Sequence, residues 1–168
     1  MDFRDVLLDL FGRVDEHVDE VLDGLEPALL TKRPAPDANP IGWLIWHLTR
    51  VEDSHIAELI DDAQQLWVTG PWAGRFGLQP DADNSGYGHT PEEVAAVRPE
   101  STDALRDYHD AVATRTREFV RTLTEADLAR VVDERWDPPV TMLVRLVSVV
   151  DDEIQHAGQA AYVKGLVT

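Results

Sequence analysis

The segment Val140-Thr-Met-Leu-Val-Arg145-Leu-Val-Ser-Val-Val150-Asp-Asp152-Glu-Ile-Gln-His156-Ala-Gly-Gln159-Ala-Ala-Tyr-Val-Lys164 predicts a long helix, with Gly165 as its stop. At about 100° per residue, Leu143, Val147, Val150, Ile154, Ala157 and Ala161 form its strongest apolar line, and Arg145, Ser148, Asp152, His156 and Gln159 lie opposite. Val144, Leu146, Val149, Ala160 and Tyr162 fill both flanks. A helix apolar nearly all round is buried among other helices, so its polar line is either a solvated face or one that points into a cavity.

Three more segments supply the neighbours. Phe3, Val6, Leu7, Leu10, Phe11, Val14, Val18, Val21, Leu22 and Leu25 repeat at helical spacing, predicting a first helix from about Asp2 to Gly24. Lys32-Arg-Pro-Ala-Pro-Asp-Ala-Asn-Pro is a turn-rich connector, after which Asn39 as N-cap and Pro40 at the first helical position open a second helix to about Gln64. A third fits Ser101 to Leu123, with Leu105, Tyr108, Val112, Thr116, Phe119, Val120 and Leu123 along one stripe. Between the second and third, Leu66 to His89 is rich in Trp, Gly, Pro, Asp and Asn, and reads as a long loop packed by its own aromatics or serving as a lid. Thr90-Pro91-Glu92-Glu93 opens a short capped helix that stops before Pro99, and Thr124-Glu-Ala-Asp127 a capped turn. Asp137-Pro138-Pro139 breaks the chain before the last helix, and no convincing strand pattern is present. The expectation is an all-α four-helix bundle with short extra helices and one long loop after helix two, residues 1–168 forming a single domain.

Charge and composition narrow the function. With 32 acidic against 15 basic residues the formal charge is -17, which disfavours nucleic acid and anionic membrane surfaces as partners. No apolar run approaches the ~20 residues needed to cross a bilayer, and the amino-terminal residues do not read as a signal peptide, so a soluble, cytoplasmic protein is expected. The absence of cysteine removes disulfides, Cys-type zinc sites and any protein thiolate nucleophile, so thiol chemistry here requires a small-molecule thiol.

Asp152 and His156 stand one helical turn apart, a spacing that lets a carboxylate and an imidazole reach one ion or form an ordinary ion pair. Helix two, with its core face on Ile41, Leu44, Leu48, Val51 and Leu59, carries His55 within that arc and His47 at its edge. Each histidine is either a candidate third ligand or a buried, hydrogen-bonded core residue. A rival constellation is Glu52-x-x-His55 with Glu153-x-x-His156, the pattern of di-iron carboxylate bundles, for which Glu16, Glu20 and Glu118 are the other nominees. Arg145 is placed to pair with Asp152, Arg75 to meet an anion, and five tryptophans to pack the interior or line a pocket. His17, His89 and His109 sit in polar or loop contexts and are assigned no role.

Asn39-Pro40-Ile41-Gly42-Trp43-Leu44-Ile45-Trp46-His47-Leu48, with Asp152-Glu-Ile-Gln-His156-Ala157-Gly158-Gln159, resembles the DinB/YfiT-like superfamily over essentially the whole chain. More narrowly, it resembles the actinobacterial branch near the mycothiol-dependent maleylpyruvate isomerases. The resemblance implies a four-helix bundle with a divalent metal, commonly zinc or nickel, held here by His47, Asp152 and His156. Family members usually carry His or Glu where Asp152 stands, one methylene longer in the case of Glu. The resemblance further implies metal-dependent transferase, isomerase or hydrolase chemistry on a small molecule, with mycothiol as a co-substrate and pairing into a homodimer. The alternative is a non-catalytic, stress-associated or ligand-binding bundle whose metal is structural or vestigial.

Overall fold

In the computed structural model, which describes residues 2–168, Asp2 accepts a hydrogen bond from the Arg4 amide while Asp5 accepts one from the Asp2 amide. This reciprocal cap starts α1, Phe3–Leu22, whose buried stripe is Leu7, Phe11, Val14, Val18, Val21 and Leu22. A single 3-10 turn at Pro27–Leu29 precedes α2, Ile41–Leu59. Pro40 occupies the N-cap of α2 and makes no side-chain cap, so helix two begins one residue later than expected, and it ends five residues before Gln64. The expected long loop contains two short helices, α3 at Leu66–Thr69 and α4 at Trp72–Arg75. The capped helix follows as α5, Pro91–Ala96, then α6, Thr102–Thr122, and the capped turn as α7, Glu125–Leu128. Val131–Asp133 (β1) pairs antiparallel with Val140–Thr141 (β2) around the Pro138-Pro139 turn. Strands of three and two residues are too short to leave a periodicity, which is why the hairpin was not expected. The last helix, α8, spans Met142–Val167 and runs through Gly165 rather than stopping there.

α1 and α2 each pack against both α6 and α8, so they lie diagonally across the bundle. Trp43 meets His156 while His55 meets Arg145, which makes α2 and α8 antiparallel. Thr49 faces His109 and Asp53 faces Arg115, which makes the neighbours α2 and α6 parallel. Parallel neighbours cannot be joined by a tight turn. The chain must return the length of α2, about 28 Å for 19 residues, and the stretch from residue 60 to 101 makes that return.

One buried carboxylate fastens that connection. Asp53 accepts from the Leu66 and Trp67 amides at 2.9 and 2.7 Å, from the Tyr108 hydroxyl at 2.7 Å, and from Arg50 and Arg115. Arg50, fully buried beneath Trp67, in turn donates to the carbonyls of Ala82 and Asn84 at 3.1 Å. The turn at 82–89 is thereby laid against the first half of α2.

The inward face of α8 is not the line hydropathy selects. Leu143, Val147 and Ile154 are exposed, at 44%, 52% and 41%, as is Val144; of the expected line Val150 and Ala157 are buried, together with Met142, Arg145, Leu146, Val149, Glu153, Ala160 and Val163. The apolar arc is wide enough to be buried from either side, and the neighbours decide which side. The core divides into two apolar clusters, one around Val18, Leu44, Trp46, Val112 and Ala157, the other around Phe11, Ile56, Val120 and Leu146. Along the helices, Asp15, Glu52, His109, Thr116 and Glu153 form a polar layer between them.

Candidate metal centre

His47 is 5% exposed, in a part of α2 that is buried on every side from Ile41 to Arg50. Its Nδ1–H donates to the Ser85 carbonyl at 2.6 Å, which fixes the tautomer and leaves Nε2 bare. Trp43 stacks on the ring at 4.6 Å, and His156 meets it edge-on at 4.6 Å. The His156 Nδ1–H donates to the Gln159 side-chain oxygen at 3.0 Å, so its Nε2 is also available, 3.6 Å from an Asp152 oxygen. The other Asp152 oxygen is buried and has no hydrogen-bond partner.

One ligand atom from each of His47, Asp152 and His156 lies within 4.8 Å of the others, and among the described residues this is the only trio of histidine or carboxylate groups so placed. Two ligands bound about 2.0–2.1 Å from one ion at a tetrahedral angle stand ~3.3 Å apart. The 3.6 Å gap between His156 and Asp152 is close to that span, so the shorter aspartate arm is long enough. Each histidine carries an oxygen partner on its rear nitrogen, the usual means of aiming an imidazole at a metal. The donor set fits a divalent ion held by three protein ligands.

Burial lowers the His47 pKa, opposed by the Ser85 carbonyl, so the ring is neutral at neutral pH. Burial also acts against charge on His156, but the hydrogen bond and charge of Asp152, with Gln159, outweigh it and raise the pKa.

The other nominees go elsewhere. Arg145 binds Asp133 at 2.9 Å and His55 at 2.6 Å rather than Asp152, because the hairpin carries Asp133 onto the opposite end of the bundle. His55 is a third exposed, outside the core. Arg75 is held by Glu100 and Asp107, which leaves it no anion to seek. Of the tryptophans, Trp43 and Trp46 stand at the site, Trp67 is core, and Trp136 is two-thirds exposed. The di-iron arrangement is not built: Glu16, Glu20 and Glu118 are exposed, and Glu52 and Glu153 meet without either histidine of the pattern.

Two histidines without an assigned role are structural. His109 is buried, its Nε2 on Asp15 and its Nδ1 on Thr49. His89 accepts from the Trp43 indole at 3.2 Å, bonds Asn84 at 2.8 Å and stacks on Trp46, locking the 82–89 turn over the site. The main missed contributor is backbone: the Ser85 carbonyl reaches His47 because Gly86 follows it at φ +95°, where a Cβ would stand 2.8 Å from His47 Nδ1. The Gly86-Tyr87-Gly88 run was the available signal.

No helix among the described residues is long and apolar enough to cross a membrane. No curated protein matches the chain. A crystal structure of a conserved protein from Enterococcus faecalis is similar at 34% identity and a TM-score of 0.91, covering 99% of this chain and 98% of that one. The family described as mycothiol-S-transferase matches residues 6–168. With that match spanning nearly the whole sequence and the bundle fold shared, the chain belongs to the mycothiol-S-transferase family, a DinB/YfiT-like family.

Proposed function

We propose that the protein is a divalent-metal-dependent enzyme that joins the sulfur of mycothiol to a small electrophilic molecule, with zinc or nickel held by His47, Asp152 and His156. The observation that carries the reading is the pair of imidazoles whose Nδ1 atoms are engaged and which each bring a nitrogen within 4.8 Å of the other and of an Asp152 oxygen. A bound divalent ion lowers the pKa of a coordinated thiol and keeps it as thiolate at neutral pH, the nucleophilic form. The chain's own residues do the rest. His47 and His156 would each give the ion an imidazole nitrogen, Asp152 would supply one negative charge, and Trp43 with Trp46 walls the buried side against water. With no cysteine in the chain, the reacting sulfur is the co-substrate's. Transfer forms a carbon–sulfur bond to the electrophile and expels its leaving group, or adds across its double bond with a proton to the adjacent carbon.

The competing view is a structural metal in a non-catalytic bundle. Both apolar clusters close without help from the three ligands, which favours the enzyme, since a structural ion contributes directly to folding free energy. The test is metal content by mass spectrometry on wild type, His47→Ala and His156→Ala, followed by mycothiol conjugation to chlorodinitrobenzene. The expected result is about one ion per chain, lost in both variants, with conjugation lost alongside. Conjugation at the wild-type rate in metal-free protein would overturn the proposal, and so would a bundle that melts when the metal is removed.

A further inference from the structure

A groove of about 340 Å³ lies between the 34–39 segment and the last turns of α8; none of His47, Asp152 and His156 lines it, and Gln159, the hydrogen-bond partner of His156, links it to the metal centre. Because α2 and α8 are antiparallel, stepping back from His47 to Leu44 and forward from His156 to Gln159 and Val163 leads to the same end of the bundle. At a rise of about 1.5 Å per residue the groove begins ~5 Å from the His156 level and reaches ~15 Å beyond it, at Leu166. Gln159 belongs to both places: its side-chain oxygen holds His156, and the residue also lines the groove.

The lining has a definite chemistry. Leu44 and Val163 make a buried apolar floor, Pro34, Ala38 and Leu166 extend the apolar lining, and Tyr162, 70% exposed, adds an aromatic ring. Asp37, Asn39 and Gln159 form a rim of carboxylate and carboxamide groups, able to accept from and donate to vicinal hydroxyls. No lysine or arginine lines it, which leaves a phosphate or carboxylate without a counter-charge beside Asp37. An aromatic ring for sugar C–H groups, planar polar side chains for hydroxyls and no cation together describe a site for an uncharged polyol.

We propose that this groove binds the glucosaminyl-inositol body of mycothiol, so that its cysteinyl arm, about 6 Å long, delivers the sulfur to the His47, Asp152 and His156 centre. The assignment rests on the function proposed above and identifies the residues that select this thiol over smaller ones. Asn39, Asp37 and Tyr162 are specificity residues that do not touch the reacting sulfur.

The test uses cobalt-substituted protein and the absorption band of a cobalt-bound thiolate, titrated with mycothiol and with N-acetylcysteine, which lacks the polyol. The wild type is expected to bind mycothiol about tenfold tighter or better. Tyr162→Ala and Asn39→Ala each remove roughly three- to tenfold of that preference, the worth of one stacking contact or neutral hydrogen bond, and leave N-acetylcysteine unchanged. Tyr162→Phe keeps the preference, because the ring remains. Mycothiol affinity within twofold of wild type in both alanine variants would overturn the assignment. A second measurement stands apart from the metal: thiol-free N-acetylglucosaminyl-inositol, whose acylated nitrogen is uncharged, added at millimolar concentration to metal-free protein, should shift the methyl resonances of Leu44 and Val163. Shifts confined to the acidic cavity at Asp81, Asp83 and Glu93, or none, would refute the groove even if the thiolate band forms. A band absent with both thiols, with the methyl shifts present, would instead sink the metal–thiol reading alone.

Discussion

Gly86→Ala tests whether the connection over α2 tunes the metal centre or merely covers it. The added Cβ would stand 2.8 Å from His47 Nδ1, 2.9 Å from a Trp46 ring carbon and 3.1 Å from a Trp43 ring carbon. Relief to ordinary van der Waals separation needs a retreat of roughly 0.5–0.8 Å, since carbon packs at about 3.5 Å. Added to the 2.6 Å contact between Ser85 and His47, that retreat takes the hydrogen bond to the edge of its useful range. An imidazole that loses its rear partner loses its fixed tautomer, and such partners are worth about 10–100-fold in metal affinity. Alanine at φ +95° also strains the backbone by ~1–2 kcal/mol, whatever its effect on the metal. Gly88→Ala separates the two effects, because Gly88 has φ +73° and open space around its Cβ position. Zinc affinity by competition with a chromophoric chelator should fall about 10–100-fold in Gly86→Ala and by less than about threefold in Gly88→Ala. Thermal melts of the metal-free proteins should show the backbone strain in both, with a further loss in Gly86→Ala from the displaced rings. Equal loss of affinity in the two variants, or none in Gly86→Ala, would refute the account of Ser85 as the group that orients His47.

Three further predictions follow from the interior. Burial raises the Glu52 pKa, partly offset by His109, so the folded state holds its proton more tightly than the unfolded chain and stability falls as pH rises above the ordinary glutamate range. Glu52→Gln, whose amide can donate to Glu153, should therefore add about 1–3 kcal/mol in urea unfolding at neutral pH and little near pH 4; a loss at neutral pH would contradict it. Asp53→Ala strands Arg50 in the core and frees the Leu66 and Trp67 amides, so it should cost ~3–5 kcal/mol and expose the 60–101 connection to proteolysis; Asp53→Asn should cost less. Metal at 100 times its Kd should raise unfolding free energy by about 2.7 kcal/mol, and chelation should leave a single cooperative transition, measured by circular dichroism melts.

How much was legible in the sequence divides along physical lines. The four long helices, the capping boxes at Thr90 and Thr124 and the spacing of Asp152 and His156 follow from local periodicity, which one chain segment carries by itself, whereas α3 and α4 are too short to leave one. The long connection was visible as a composition change, but its architecture was not. Arg50 and Asp53 look like surface residues of an amphipathic helix, and only the returning chain, bringing the Leu66 and Trp67 amides and the Ala82 and Asn84 carbonyls, makes them core. A backbone carbonyl such as that of Ser85 has no side-chain signature at all.

The orientation of α8 shows most clearly why hydropathy alone misplaces a site. Had Leu143, Val147 and Ile154 faced inward, Arg145, Asp152 and His156 would have pointed to water, away from α2. Instead the buried line passes through Glu153, and polar groups from the other helices meet it at the same level: Glu52, Thr116, His109 and Asp15. Glu52 and Glu153 can be buried only if a proton or a neighbouring charge offsets their own, and this rotation of α8 sets them at one level with His109. With Glu153 turned into the core, its neighbour Asp152 stands about 100° round the helix, on the shoulder facing α2, and His156 lies one turn above it. That shoulder is where His47 emerges beside the Ser85 carbonyl. The costly burial of one carboxylate thereby sets the aim of the next, and the trio assembles as a consequence of the register.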